Sequence, residues 1–135
     1  MKTITMKAVT GNIGAITEFV DRELEAVDCP MKAQMQIDLA IDELVANVAM
    51  YAYTPGTGDV TVSFEFDEAA RTVTLTFIDG GIPYDPLQKE DPDVTLPAEK
   101  RQIGGLGIFL VRKNMDGMSY RREDGKNILQ VQKKI

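Results

Sequence analysis

Two runs of strict alternation dominate the middle of this 135-residue chain. Val60, Val62, Phe64 and Phe66 alternate with Thr61, Ser63 and Glu65, while Val73, Leu75 and Phe77 alternate with Thr72, Thr74 and Thr76. A period of two puts every apolar side chain of a run on one face, so both runs predict strands with one buried and one wet face. The short polar stretch from Asp67 to Arg71 joins them as an antiparallel hairpin. A lone hairpin is marginal in water, so its apolar face needs another layer across it.

The residues upstream supply that layer. Ile13, Ile16, Val20, Leu24 and Val27 recur at three- and four-residue steps, which predicts an amphipathic helix from Asn12 to about Val27. After Asp28-Cys29-Pro30, a second helix is predicted from about Met31 to Tyr51, with Ile37, Ile41, Leu44, Val48 and Ala52 as its core stripe. Thr54-Pro55-Gly56-Thr57-Gly58 cannot continue it. Weak alternation over Thr3 to Val9 suits a short first strand. Near the other end, Ile108, Leu110, Val111 and Met115 support a third helix ending near Asp116-Gly117. A last pair of strands, about Met118 to Glu123 and Asn127 to Lys133, turns through Asp124-Gly125-Lys126.

This order predicts the α+β class: a two-layer sandwich with a mixed, mostly antiparallel sheet and helices on one face. The other sheet face, rich in Thr, Ser, Glu, Gln and Lys, is expected to meet water. An apolar content of 44% over this length suits one domain, residues 1–135, with a real core.

Between Asp79 and Gln102 the patterning fails. Four of the six prolines (Pro83, Pro86, Pro92 and Pro97) and nine charged residues fall there. Structureless loops longer than about 12–15 residues are uncommon in compact domains and are usually lids, binding loops or disordered segments.

Composition removes whole reaction classes. There is no histidine, and Cys29 is the single cysteine. Ser-His-Asp and Cys-His nucleophilic sites, His-ligated or four-cysteine zinc, and internal disulfides are therefore excluded. Any catalytic base must be a carboxylate, a lysine, a tyrosine or water. A net charge of −6 argues against direct nucleic-acid binding, which phosphate contacts dominate. No apolar run suits a signal peptide or a membrane span, and a lone cysteine fits a reducing compartment, so the expectation is cytoplasmic. Cys29 and the seven methionines are expected to be packing residues.

Three constellations carry chemistry. In the second helix, Glu43 and Asn47 stand four residues apart and share a face. A carboxylate beside an amide oxygen suits Mg²⁺, which takes one or two protein oxygens and fills its other positions with phosphates and waters. Glu43 can equally serve as a general base, and such pairs are also common on solvated helix faces. Asp79-Gly80-Gly81-Ile82-Pro83 sets an acid at a strand end beside glycines that let a flat ligand come close, and it also describes an ordinary tight turn. Gly104-Gly105-Leu106-Gly107 opens a helix, where free N–H groups and the dipole favour an anion. It matches neither the phosphate-loop nor the dinucleotide glycine pattern. Together the three offer a metal seat, a base-recognising acid and a phosphate cradle, with the proline-rich loop as cover. Mg-ATP requires these parts.

In this combination, Asp42-Glu43-Leu44-Val45-Ala46-Asn47, Asp79-Gly80-Gly81-Ile82-Pro83-Tyr84-Asp85-Pro86 and Gly104-Gly105-Leu106-Gly107-Ile108-Phe109-Leu110-Val111, the chain resembles the histidine-kinase-like ATPases. These are the GHKL superfamily with the Bergerat ATP-binding fold, and the likeness is to its small anti-sigma factor serine kinases. It covers about Gly11 to Lys133. The resemblance implies that Asn47 coordinates Mg²⁺, Glu43 is the general base, Asp79 accepts the adenine amino hydrogen bond and Gly81 leaves room for the ring. It places Ile82 and Leu106 among the ATP contacts, gives Gly104, Gly105 and Gly107 the phosphate end of an ATP lid at about 84–103, and puts Asn127 where many members have a threonine supporting the acid. Tyr51 stands where many members have a histidine, and Ile103 where a polar residue is usual.

The implied activity is ATP-dependent phosphorylation of a serine or threonine on a protein antagonist of the anti-anti-sigma type, coupled to sequestration of a sigma factor by a homodimer built through the first strand and helix. A non-catalytic ATP-binding anti-sigma or output-regulating module is the alternative. The missing histidine separates the chain from sensor kinases, whose phospho-accepting histidine sits in a separate helical domain.

Overall fold

The computed structural model describes residues 1–88 and 106–135, Leu106 by its backbone alone. Gly104, Gly105, Ile103 and most of the expected lid lie outside the described residues. The described elements are β1 (Lys2–Lys7), α1 (Ile13–Ala26), α2 (Met31–Asn47), β2 (Asp59–Asp67), β3 (Thr72–Asp79), α3 (Leu106–Asn114), β4 (Gly117–Glu123) and β5 (Lys126–Lys134), with short helical turns at Thr10–Asn12, Val48–Ala52 and Pro86–Gln88.

The five strands form one sheet in the order β1-β2-β3-β5-β4. All four pairings are antiparallel, the limiting case of the mostly antiparallel sheet expected. The connections account for this. After α3 the chain enters at the sheet edge as β4 and returns through a hairpin, so β5 settles beside β3 and runs against it. That hairpin turns through Asp124 (φ 53°) and Gly125 (φ 74°), a two-residue loop with two left-handed residues that matches the strand twist.

The predicted alternation holds throughout β3, while in β2 Ser63 on the other face is buried as well and Phe66 is only partly buried. Val60, Val62 and Phe64 with Val73, Leu75 and Phe77 are buried, and Leu129 and Val131 of β5 extend the same face. Against it lie Ile16, Val20 and Leu24 of α1, Ile37, Ile41, Leu44 and Val45 of α2, and Ile108 and Val111 of α3. Burying one such side chain contributes about 1.5–3 kcal/mol, so this layer holds the helices on the sheet. On the opposite face hydroxyls pair across strands, Thr5 with Thr61 at 2.8 Å and Gln130 donating to Thr76 at 3.2 Å.

Two helix ends depart from the periodicity. α2 stops at Asn47, and Val48–Ala52 opens into a wide π-type turn instead of continuing to Tyr51. The wider turn presents the Ala52 carbonyl to the Ile82 N–H at 2.9 Å, a contact made by tertiary structure. α3 ends at Asn114 because Asp116 has already joined the sheet region, donating its N–H to the Gln132 carbonyl at 2.8 Å.

Candidate functional site

The same alternation that builds the core places the site's acid. β3 buries Val73, Leu75 and Phe77 in turn, and Asp79 is the next inward position, 9% exposed at the end of an apolar stripe. β5 repeats the arrangement in reverse, with Asn127 (5% exposed) preceding Leu129 and Val131 on the inward face. The antiparallel register sets Asp79 directly opposite Asn127.

A buried carboxylate needs donors, and two converge on it. Asp79 Oδ1 accepts the Gly81 N–H at 2.9 Å and an Asn127 Nδ2 hydrogen at 2.9 Å. Asn127 uses its amide fully. Nδ2 also donates to the Ile82 carbonyl at 2.8 Å, while Oδ1 accepts the Tyr84 N–H at 3.2 Å and the Tyr120 hydroxyl. Arg122, the next inward position on β4 after Tyr120, donates Nη1 to the Gly81 carbonyl at 2.8 Å. A single amide therefore links the acid, the Gly-Gly turn and the root of the loop that follows.

Gly81 is required by packing: a Cβ there would overlap the carbonyl and Cβ of Ala52. In this structure the glycine lets the strand end lie directly on the wide turn after α2. Ile82 accordingly contributes its backbone to the site, while its side chain is exposed.

Above Asp79 lies a cleft. Leu44, Val48, Ala52, Phe77 and Leu129 give it apolar walls, and Asn47, Asp79 and Asn127 give it polar points, with Tyr84, Pro86 and Tyr120 completing the rim. Apolar walls with a few placed polar groups are the usual make-up of a small-molecule site. Tyr51 and Tyr84 bring their rings within 6.2 Å of each other, at 31°.

Glu43 lies one turn before Asn47 on α2 and packs against the first turn of α3. A Cβ at Gly107 would overlap its carboxylate. The structure thus gives Gly107 a definite reason to lack a side chain, and it seats an acid at a helix N-terminus, where the dipole favours it. Asn47, Asp79 and Asn127 line one cleft, whereas Glu43 is not among its lining residues and lies against Gly107. Gly104 and Gly105 lie outside the described residues, as does the Leu106 side chain. Sequence reasoning missed Tyr84, Tyr120 and Arg122. The last two were signalled by the inward period Met118, Tyr120, Arg122 along β4, whereas the Tyr84 contact is backbone and leaves no side-chain signal.

The chain thus sets an apolar slot, with a buried acid at its end and Asn47 of α2 on its wall, in a two-layer α+β fold. Residues 6–133 match the histidine kinase-like ATPase domain, and the chain belongs to that family. It is 33% identical over 98 residues to the serine/threonine-protein kinase BtrW of Bordetella bronchiseptica, a match covering 73% of this chain and 68% of that protein. It is 26% identical over 95 residues to the serine-protein kinase RsbW of Bacillus thuringiensis, covering 67% of this chain and 58% of that one. The matched segment therefore spans little more than half of RsbW. In fold it is similar to the structure of the RsbU and RsbW domains of Rv1364c from Mycobacterium tuberculosis, with a TM-score of 0.67 over 99% of this chain and 32% of that one at 12% identity. No helix among the described residues is long and apolar enough to cross a membrane.

Proposed function

We propose that this chain is an ATP-dependent protein serine/threonine kinase that phosphorylates a protein antagonist and sequesters a sigma factor or similar regulator, switching between the two partners. The observation that carries the nucleotide reading is the buried Asp79. Its Oδ1 is committed to Gly81 and Asn127 at the end of an apolar slot. That leaves Oδ2 to accept a hydrogen from the 6-amino group of adenine, where guanine carries a carbonyl.

The donor set fits Mg²⁺. Asn47 lines the cleft and carries an amide oxygen, and a cation that takes few protein oxygens beside substrate phosphates needs little more. Bound there, Mg²⁺ would neutralise charge on the transferring phosphoryl group. Asn47 would hold it. Glu43 would accept the proton of the attacking serine or threonine hydroxyl on a carboxylate oxygen, and the apolar walls would keep water from the base-binding end. Gly107 supports this role by leaving the carboxylate its space.

The same contact favours a second reading, in which Glu43 only anchors the start of α3 and the protein is a non-catalytic, ATP-binding anti-sigma module. Incubation of the purified chain with Mg-ATP and a candidate antagonist domain separates the two. Under the kinase reading wild type transfers phosphate, Glu43→Ala binds ATP but loses transfer by at least about 100-fold, and Asn47→Ala loses Mg-dependent binding. Glu43→Ala transferring as well as wild type overturns the base assignment, and ATP binding without transfer by wild type favours the module. Homodimerisation through β1 and α1, and a cytoplasmic location, belong to the same proposal.

A further inference from the structure

Tyr53, just after the wide turn, reaches across to the strand that carries Asp79. Its hydroxyl donates to the Asp59 carbonyl at 2.6 Å and accepts the Gly80 N–H at 2.8 Å. Asp59 opens β2 and Gly80 follows the last residue of β3, so one hydroxyl ties the two strand ends together beside the acid. The ring lies directly on the Gly58 backbone, where a Cβ would overlap three of its carbons. Burial raises the pKa of this hydroxyl, so it stays protonated and keeps both its donor and acceptor roles.

We propose that Tyr53 is a positioning residue for base recognition, its hydroxyl holding the Gly80 peptide so that Asp79 and Gly81 face the ligand in fixed geometry. The proposal rests on the nucleotide reading above. Asn127 and Arg122 hold the Asp79-Gly80-Gly81 turn through Asp79 and the Gly81 carbonyl, and Ala52 holds it through Gly81 and the Ile82 N–H. Tyr53 adds the contact to the Gly80 N–H between these two points. Two adjacent glycines give this backbone unusual freedom, and an external brace removes it. Because both hydrogen bonds are exposed to solvent, water can replace them in a variant, so their loss loosens the turn without leaving buried groups unpaired.

Tyr53→Phe keeps the ring and deletes the brace. Calorimetric titration with adenosine and with ADP is expected to show affinity weakened about tenfold for both ligands, because the defect lies at the base and not at the phosphates. The melting temperature without ligand should move by no more than about 2 °C. Gly58→Ala, which displaces the ring while keeping the hydroxyl, is expected to reproduce the same equal loss. Amide hydrogen exchange gives a ligand-free readout: the Gly80 N–H should be protected in wild type and lose that protection in Tyr53→Phe. Unchanged affinity in Tyr53→Phe, a loss larger for ADP than for adenosine, or a Gly80 N–H that exchanges equally fast in both proteins each overturns the proposal. A wild-type chain that binds neither ligand overturns the nucleotide reading itself, while Gly80 exchange still judges the brace.

Discussion

Gly107 shows how much a missing Cβ can decide. It stands in the first turn of α3, where alanine would ordinarily strengthen the helix by about 0.5–1 kcal/mol. The space a Cβ needs is already held by the Glu43 carboxylate. That carboxylate is the far end of a flexible side chain, so the fold can yield by swinging Glu43 aside, and the strain falls on function. Gly107→Ala is therefore expected to leave the melting temperature within about 3 °C of wild type and to lower phosphoryl transfer by at least about tenfold. A melt and a transfer assay on one preparation check both halves, and full activity in this variant would show that the position of Glu43 does not matter. Cys29 is the contrasting residue: burial pushes its thiol pKa up, which suits the packing role expected for it.

At the scale of elements, the α1–α2 contact carries a titration. Asp38 of α2 faces Asp21 of α1, and each has its Oδ1 buried with no hydrogen-bond partner among the described residues. Burial first, and then the facing Asp21 carboxylate, which shares a proton with Asp38 and repels its charged form, push Asp38 up to about 8. A proton on Asp38 supplies the donor that two facing carboxylates lack. The sign follows directly. In the unfolded chain Asp38 ionises near its ordinary value of 3.8, so between about pH 4 and 8 the folded state binds the extra proton. This pair's contribution to stability is fully present below that range and is lost as pH rises through about 8. Asp38→Asn keeps a donor at every pH, so thermal melts from pH 5 to 8 should show a flatter slope and a higher melting temperature at pH 8 than wild type. A variant less stable than wild type at pH 8 would contradict the shared-proton account.

Legibility in the sequence also divides at this scale. The hairpin of β2 and β3 and the apolar stripes of α1 and α2 were readable because period two and period 3.6 are local properties of the chain. Asp79 was readable as a strand-end acid, and once β3 and β5 are registered its partner Asn127 follows from the same alternation. The wide turn at Val48–Ala52 was not readable, because it answers to Ile82, 30 positions beyond Ala52, and no local pattern encodes that hydrogen bond. Tyr53 escaped for the same reason: it serves a backbone group of the Gly-Gly turn, brought near only by the finished sheet.

For the whole molecule, the two-layer sandwich has one consequence above the others. The inward face of β3 and β5 is core along most of its length and opens into the cleft at one end, where α2 gives way to the wide turn and the apolar stripe meets Asp79 and Asn127. Core and site are one continuous layer. A ligand seated there would bind the folded chain alone, and at a concentration 100 times its dissociation constant it would stabilise that chain by about 2.7 kcal/mol.

The claim on which the rest depends is that Asp79 reads adenine, and calorimetric titration of wild type and Asp79→Asn with Mg-ATP and Mg-GTP tests it. Wild type is expected to bind ATP at least about tenfold more tightly than GTP, because a buried acceptor facing the guanine carbonyl has no donor to meet. Asp79→Asn, which sets an amide donor where the acceptor stood, is expected to lose at least about tenfold of the ATP affinity while melting cooperatively. Absence of ATP binding by the wild-type chain, or equal ATP affinity in the two proteins, would contradict the account.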